Sequence, residues 1–75
     1  MEKLLKILSS IKQDVDFQKE EGLFQKGIFS SLDMVYLVVG IKNEFGIEID
    51  PEDITIENFD SAQRIMKLIE RYKGK

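Results

Sequence analysis

Apolar residues recur at helical spacing near the start of the chain, at Leu4, Leu5, Ile7, Leu8, Ile11 and Val15. Lys3, Lys6, Lys12 and Gln13 fall largely on the opposite side. A stripe of this kind predicts an amphipathic helix over about residues 2–15 that buries one face. From Asp16 to Ser30 the periodicity weakens and two glycines appear, Gly22 and Gly27. Long ordered connections are packed down by their own side chains or carry function. Phe17, Leu23, Phe24 and Ile28 are the residues expected to pack this one, with a short helical turn near Leu23 and Phe24.

The strongest helical signal lies over residues 31–45. Ser30 is a good N-cap and Asp33 stands three residues on, the spacing of a capping box. Met34, Leu37, Val38, Ile41 and Phe45 form the predicted core stripe, and Gly46 ends the helix. Gly40 in its interior costs about 1 kcal/mol against alanine, a cost that close approach of another segment would explain. Ile47, Glu48 and Ile49 alternate like a strand but have no partner, so they read as loop. Asp50-Pro51 starts a short helix over about 51–56. Asp60-Ser61 caps the last helix, 61–72, with Ala62, Ile65, Met66, Ile69 and Tyr72 on one face. Arg71, Lys73 and Lys75 lie where positive charge suits a helix C-terminus. The expected fold is all-α, a small bundle of three main helices plus one short helix, in a single domain spanning 1–75.

At 75 residues the chain has little room for a catalytic cleft, and 43% hydrophobic content is enough for it to fold. It has no cysteine and no histidine. That removes disulfides, thiolate metal sites, the commonest metal ligand and the commonest general base. The net charge of −3 argues against a nucleic-acid partner, because phosphate backbones repel it. No apolar run is long enough to span a bilayer, and Lys6 and Lys12 interrupt anything resembling a signal peptide. A cytoplasmic, monomeric, non-catalytic protein without membrane insertion is expected.

Candidate chemistry concentrates at Ser31. It follows a glycine-containing loop and opens a helix, so a phosphodiester formed on it would meet free backbone N–H groups and the positive end of the helix dipole. The same position also suits a plain capping residue. The surrounding residues shift that balance. Leu23-Phe24-x-x-Gly27-x-x-Ser30-Ser31-Leu32-Asp33-x-Val35-x-Leu37-Val38 resembles the attachment region of phosphopantetheine-dependent carrier proteins, the acyl, peptidyl and D-alanyl carriers. The resemblance continues through Glu44-Phe45-Gly46-Ile47-Glu48-Ile49, Asp50-Pro51-Glu52-Asp53 and Asn58-Phe59-Asp60-Ser61, and so covers most of the chain.

The resemblance implies a 4′-phosphopantetheine arm on Ser31, moved from coenzyme A by a phosphopantetheinyl transferase. The arm's thiol would carry acyl or aminoacyl groups as thioesters between loading and processing enzymes. It also implies that the second helix docks partners through Leu32, Asp33, Tyr36 and Val39, although Leu32, Tyr36 and Val39 could equally flank or cover the core. The family usually has Asp before the modified serine; here Ser30 stands there and can cap but cannot supply charge. Tyr36 occupies a place where fatty-acid carriers commonly have glutamate, and Lys42 is basic. The likeness is therefore closer to stand-alone aminoacyl or polyketide-type carriers than to housekeeping fatty-acid carriers. The alternative is an unmodified carrier-fold interaction module that uses the second-helix face.

Glu20-Glu21 and the Asp50, Glu52 and Asp53 cluster lack the spacing of a calcium loop and read as solvated charge, so no metal site is expected. A crevice between the second and last helices, lined by residues such as Val38, Phe59 and Ile65, would be the place to shelter a cargo chain.

Overall fold

The computed structural model describes residues 1–74 and is helical throughout its regular structure. Helix α1 spans Glu2–Ile11, α2 Ser31–Phe45, α3 Ile56–Phe59 and α4 Ala62–Lys73, with a single 3₁₀ turn at Pro51–Asp53. Among the described residues there is no strand; one isolated antiparallel bridge joins Glu21 to Ser61. The all-α bundle read from the pattern is the fold observed. Lys75, placed by the sequence near the last helix's end, lies outside the described residues.

Helix α1 is shorter than its apolar stripe. It ends at Ile11 because Lys12 turns to extended backbone and Asp14 takes a left-handed conformation, φ 64°. Val15 still packs against the core, from the connection instead of from the helix. Periodicity alone does not distinguish these two ways of delivering a side chain inward.

The connection between α1 and α2 is held down mainly by aromatic rings. Phe17 and Phe29 stack at 5.7 Å between centroids, and Phe24 meets Phe29 edge-on at 5.6 Å. Phe29 is thus a core residue that the periodicity did not single out. The turn expected near Leu23 is present, closed by hydrogen bonds from Lys26 N to the Gly22 carbonyl and from Gly27 N to the Phe24 carbonyl.

Helix α2 follows its predicted bounds, but its core face is narrow. Only Leu37 and Ile41 are fully buried, while Met34, Val38 and Phe45 are partly so. Gly40 explains its own cost: a Cβ there would lie 2.8 Å from Ile7 Cγ2. Its missing side chain lets α1 and α2 approach closely. Gly46 closes the helix at φ 67° and donates its N–H to the Lys42 carbonyl.

The segment predicted as one short helix over 51–56 divides in two. The 3₁₀ turn ends at Asp53, and Thr55 then caps a separate α3, accepting from Asn58 N. Two cap-type residues, Asp50 and Thr55, each start a new element, which forbids a continuous one. Helix α4 begins one residue later than predicted and ends one later. Its buried face includes Leu68 beside the expected Ala62, Ile65 and Ile69.

Candidate functional site

The start of α2 is built by three groups of contacts. Ser30 lies outside the helix in extended geometry, φ −97° and ψ 177°. Its Oγ accepts from the Asp33 amide at 3.3 Å, and the Asp33 carboxylate accepts from the Ser30 amide at 2.9 Å. The Ser30 hydroxyl also donates to Asp33 Oδ2 at 3.2 Å. The capping box read from the sequence is therefore complete, and it commits the Ser30 hydroxyl on both its donor and acceptor sides.

Ser31, the next residue, is exposed and is the first residue of the helix. Its hydroxyl makes no hydrogen bond within the described chain. The amides of Ser31 and Leu32 precede the first intrahelical bond, which runs from Met34 N to the Ser30 carbonyl. An anionic group bonded to Ser31 would therefore meet unsatisfied N–H donors at the positive end of a 15-residue helix. The residues present fit a phosphodiester at this position.

The loop that delivers Ser31 is fastened from the other side of the molecule. Asp60 is 5% exposed. Its Oδ1 accepts from Phe24 N at 2.8 Å and from Gln25 N at 3.3 Å, and its carbonyl accepts from Leu23 N at 2.8 Å. Phe29 N then donates to the Leu23 carbonyl at 2.8 Å and closes the loop just before the cap. Gln63 Nε2 adds a bond to the Gln18 carbonyl. The sequence reading joined Asp60 to Ser61 as a helix cap. Ser61 alone performs that role, accepting from Arg64 N, and Asp60 is a clasp on the loop. A carboxylate placed one residue ahead of a cap gives no local sign that it bonds a segment 35 residues away.

Four large apolar side chains stand out on α2: Leu32 is 59% exposed, Val35 and Tyr36 56%, and Val39 50%. Their spacing at i, i+3, i+4 and i+7 puts them on one face. Leu32, Tyr36 and Val39 were singled out from the sequence, and Val35 completes the stripe. With half or more of each side chain in solvent, none of the four is closed into the core. Asp33, the fourth residue singled out there, is half-buried and engaged in the cap.

An open groove of about 810 Å³ runs between α1 and α2, with Ile7, Tyr36, Val39 and Gly40 in its lining. Lys3, Lys6, Asp33 and Glu44 also line it. Of the residues anticipated to line a crevice between α2 and α4, Phe59 and Ile65 are fully buried in the core and Val38 is partly so. Among the described residues no three His, Cys, Asp or Glu side chains group to hold a metal ion. Of the acidic residues flagged in the sequence, Glu20 pairs with Lys26 at 2.8 Å, and Asp53 contacts Tyr72 and Arg71. No described helix is long and apolar enough to cross a membrane.

No known family model matches the chain, and no solved structure matches it. Curated proteins do. The D-alanyl carrier protein of Streptococcus equi subsp. zooepidemicus is 33% identical over 58 residues, 77% of this chain and 73% of the relative. That of Streptococcus equi subsp. equi matches to the same extent. D-alanyl carrier protein 1 of Lactiplantibacillus plantarum is 28% identical over 68 residues, 89% of this chain and 85% of the relative.

Proposed function

The chain belongs to the D-alanyl carrier protein family, and from that premise we propose that it carries a D-alanyl group as a thioester on a 4′-phosphopantetheine arm attached to Ser31. One observation carries the choice of residue. The Ser30 hydroxyl is consumed by the capping box, whereas the Ser31 hydroxyl is exposed and unengaged at the same helix end.

Modification forms a bond from Ser31 Oγ to phosphorus as the phosphoanhydride bond of coenzyme A breaks. The 3′,5′-ADP leaves, and the hydroxyl proton passes to a base of the phosphopantetheinyl transferase. This chain contributes the nucleophilic oxygen, the free amides of Ser31 and Leu32, and the dipole of α2. When bound, the arm supplies a thiol for acyl transfer. The chemistry belongs to partner enzymes, and the protein is their substrate; the cytoplasm is the compartment where coenzyme A and such enzymes meet it.

The exposed stripe of Leu32, Val35, Tyr36 and Val39 beside Ser31 is the surface for those partners. Apolar contact, and not a row of acids, supplies the affinity there, so docking depends weakly on salt. Leu32→Ala and Tyr36→Ala should raise the KM of the loading enzyme for the carrier about tenfold each, with thermal stability unchanged.

Incubation with coenzyme A, a divalent cation and a broad-specificity phosphopantetheinyl transferase tests the attachment. Intact mass should show one added arm on the wild type and on Ser30→Ala, and none on Ser31→Ala. Absence of any mass gain on the wild type, with a transferase from its own host included, would favour an unmodified module working through the α2 stripe.

A further inference from the structure

The groove between α1 and α2 has an apolar floor and a polar rim. Ile7, Tyr36 and Val39 supply apolar surface, and Gly40 adds only backbone, since a Cβ there would meet Ile7. Along α2 the lining runs from Asp33, two residues past Ser31, to Asn43 and Glu44. Asn43 and Glu44 are exposed, and among the described residues their side chains form no hydrogen bond and no ion pair. The Tyr36 hydroxyl is likewise without a partner there. Neither Lys3 nor Lys6, on the α1 wall, pairs with Glu44. The groove therefore begins beside the attachment position and ends on an unpaired carboxylate.

Its length singles out one occupant. Ser31 and Glu44 are thirteen residues apart on one helix, about 20 Å along the axis. Side chains on a helix lean toward its N-terminus, which brings the Glu44 carboxylate to within about 15 Å. A phosphopantetheine arm bearing an alanyl group is about as long as five extended residues, roughly 17 Å from phosphorus to the amine. A phosphodiester held by the Ser31 and Leu32 amides lies at the end of the helix axis, from which every flank of α2 is in reach. We propose that this groove is the resting site of the loaded arm, with Tyr36 and Asn43 facing its amides and Glu44 the counter-ion of the alanyl ammonium. A plain acyl cargo has no amine and gains nothing from Glu44, so the site favours an aminoacyl thioester. Exposed contacts of this kind are weak. Covalent attachment at the groove's mouth offsets that weakness, because it gives the arm an effective concentration on the order of millimolar. The inference rests on the attachment reading above and puts the cargo on the α1 side of α2, away from the α4 side where the sequence placed a crevice.

The test loads the full chain from coenzyme A, from D-alanyl-coenzyme A and from propionyl-coenzyme A, which lacks only the amine. Intact mass confirms one arm in each case. Amide and methyl NMR spectra are then compared with those of the unmodified chain at about pH 6, where the alanyl amine is cationic. The unloaded arm should shift the signals of Ile7, Tyr36, Val39, Gly40 and Asn43. The D-alanyl form should add a change at Glu44 that is absent from the propionyl form and lost in Glu44→Gln, a surface variant expected to keep the wild-type thermal midpoint. Shifts confined to the residues next to Ser31 leave the arm in solvent and overturn the inference, with the carrier reading intact. Shifts at Val38, Phe59 and Ile65 in their place put the arm on the α4 side and also overturn it. An equal change at Glu44 in the propionyl form overturns its role as counter-ion. A chain that accepts no arm from any of the three removes the attachment reading and this inference together.

Discussion

A helix N-cap uses its side chain to satisfy an amide that has no carbonyl one turn back, and that use consumes Ser30. The same hydroxyl cannot serve well as a nucleophile, since freeing it breaks the cap and uncovers the Asp33 amide. Ser31, one residue on, carries no such duty. Asp60 acts at the same scale from a distance. Its buried carboxylate accepts the Phe24 and Gln25 amides, so Asp60→Ala leaves two donors at a loop–helix junction without their acceptor. The expected cost is about 2–3 kcal/mol, read from chemical denaturation. Asp60→Asn, which keeps a carbonyl oxygen for those amides, should cost less. Both residues carry a lesson about legibility. Ser30 and Asp33 bond within four positions of each other, so their spacing could be read directly from the sequence. Asp60 bonds across 35 positions, and no local pattern announces it.

At the scale of elements, α2 carries the argument. It is apolar around much of its circumference, and two neighbours compete for it. The core takes Leu37 and Ile41, and solvent keeps Leu32, Val35, Tyr36 and Val39. The helix bounds were legible because cap and stop signals, Ser30 and Gly46, bracket them. Which apolar face turns inward was only half legible, because Met34, Val38 and Val35 satisfy a helical stripe as well as the buried residues do. The end of α1 was hidden for a related reason: Val15 reaches the core from an extended segment. Gly40 marks where α1 crosses α2. Its replacement by alanine gains about 1 kcal/mol of helix propensity but drives a methyl into Ile7 Cγ2, a stiff β-branched position. Overpacking of this kind costs about 1–3 kcal/mol, so Gly40→Ala should lower stability by up to about 2 kcal/mol. The loss should shrink in an Ile7→Leu background, where that methyl is absent, and a double-mutant cycle reads the difference.

Across the whole molecule the two ends of the chain's second half are tied together. The Asp50 amide donates to the Tyr72 hydroxyl at 2.9 Å, and that hydroxyl donates to the Asp53 carboxylate. Donation to Asp53, helped by burial, holds the Tyr72 hydroxyl above its ordinary value of 10.0. A folded-state pKa raised above the unfolded one means that the contribution is complete below about pH 10 and is lost as pH rises through the folded value. Stability should therefore fall in that alkaline window, and Tyr72→Phe should lower the neutral-pH midpoint and flatten the alkaline loss. The tie secures the 3₁₀ turn to α4, while the Asp60 clasp secures the loop before α2 to the start of α4. Helix α4 thus organises the molecule, and α2 is left with one face for the core and one in solvent. The most direct measurement is the intact mass of the protein isolated from its own host, with fragmentation to locate any added group. A single phosphopantetheine on Ser31, part of it bearing a thioester-linked D-alanine, is the predicted result. An unmodified chain, or an arm on Ser30, would contradict the account.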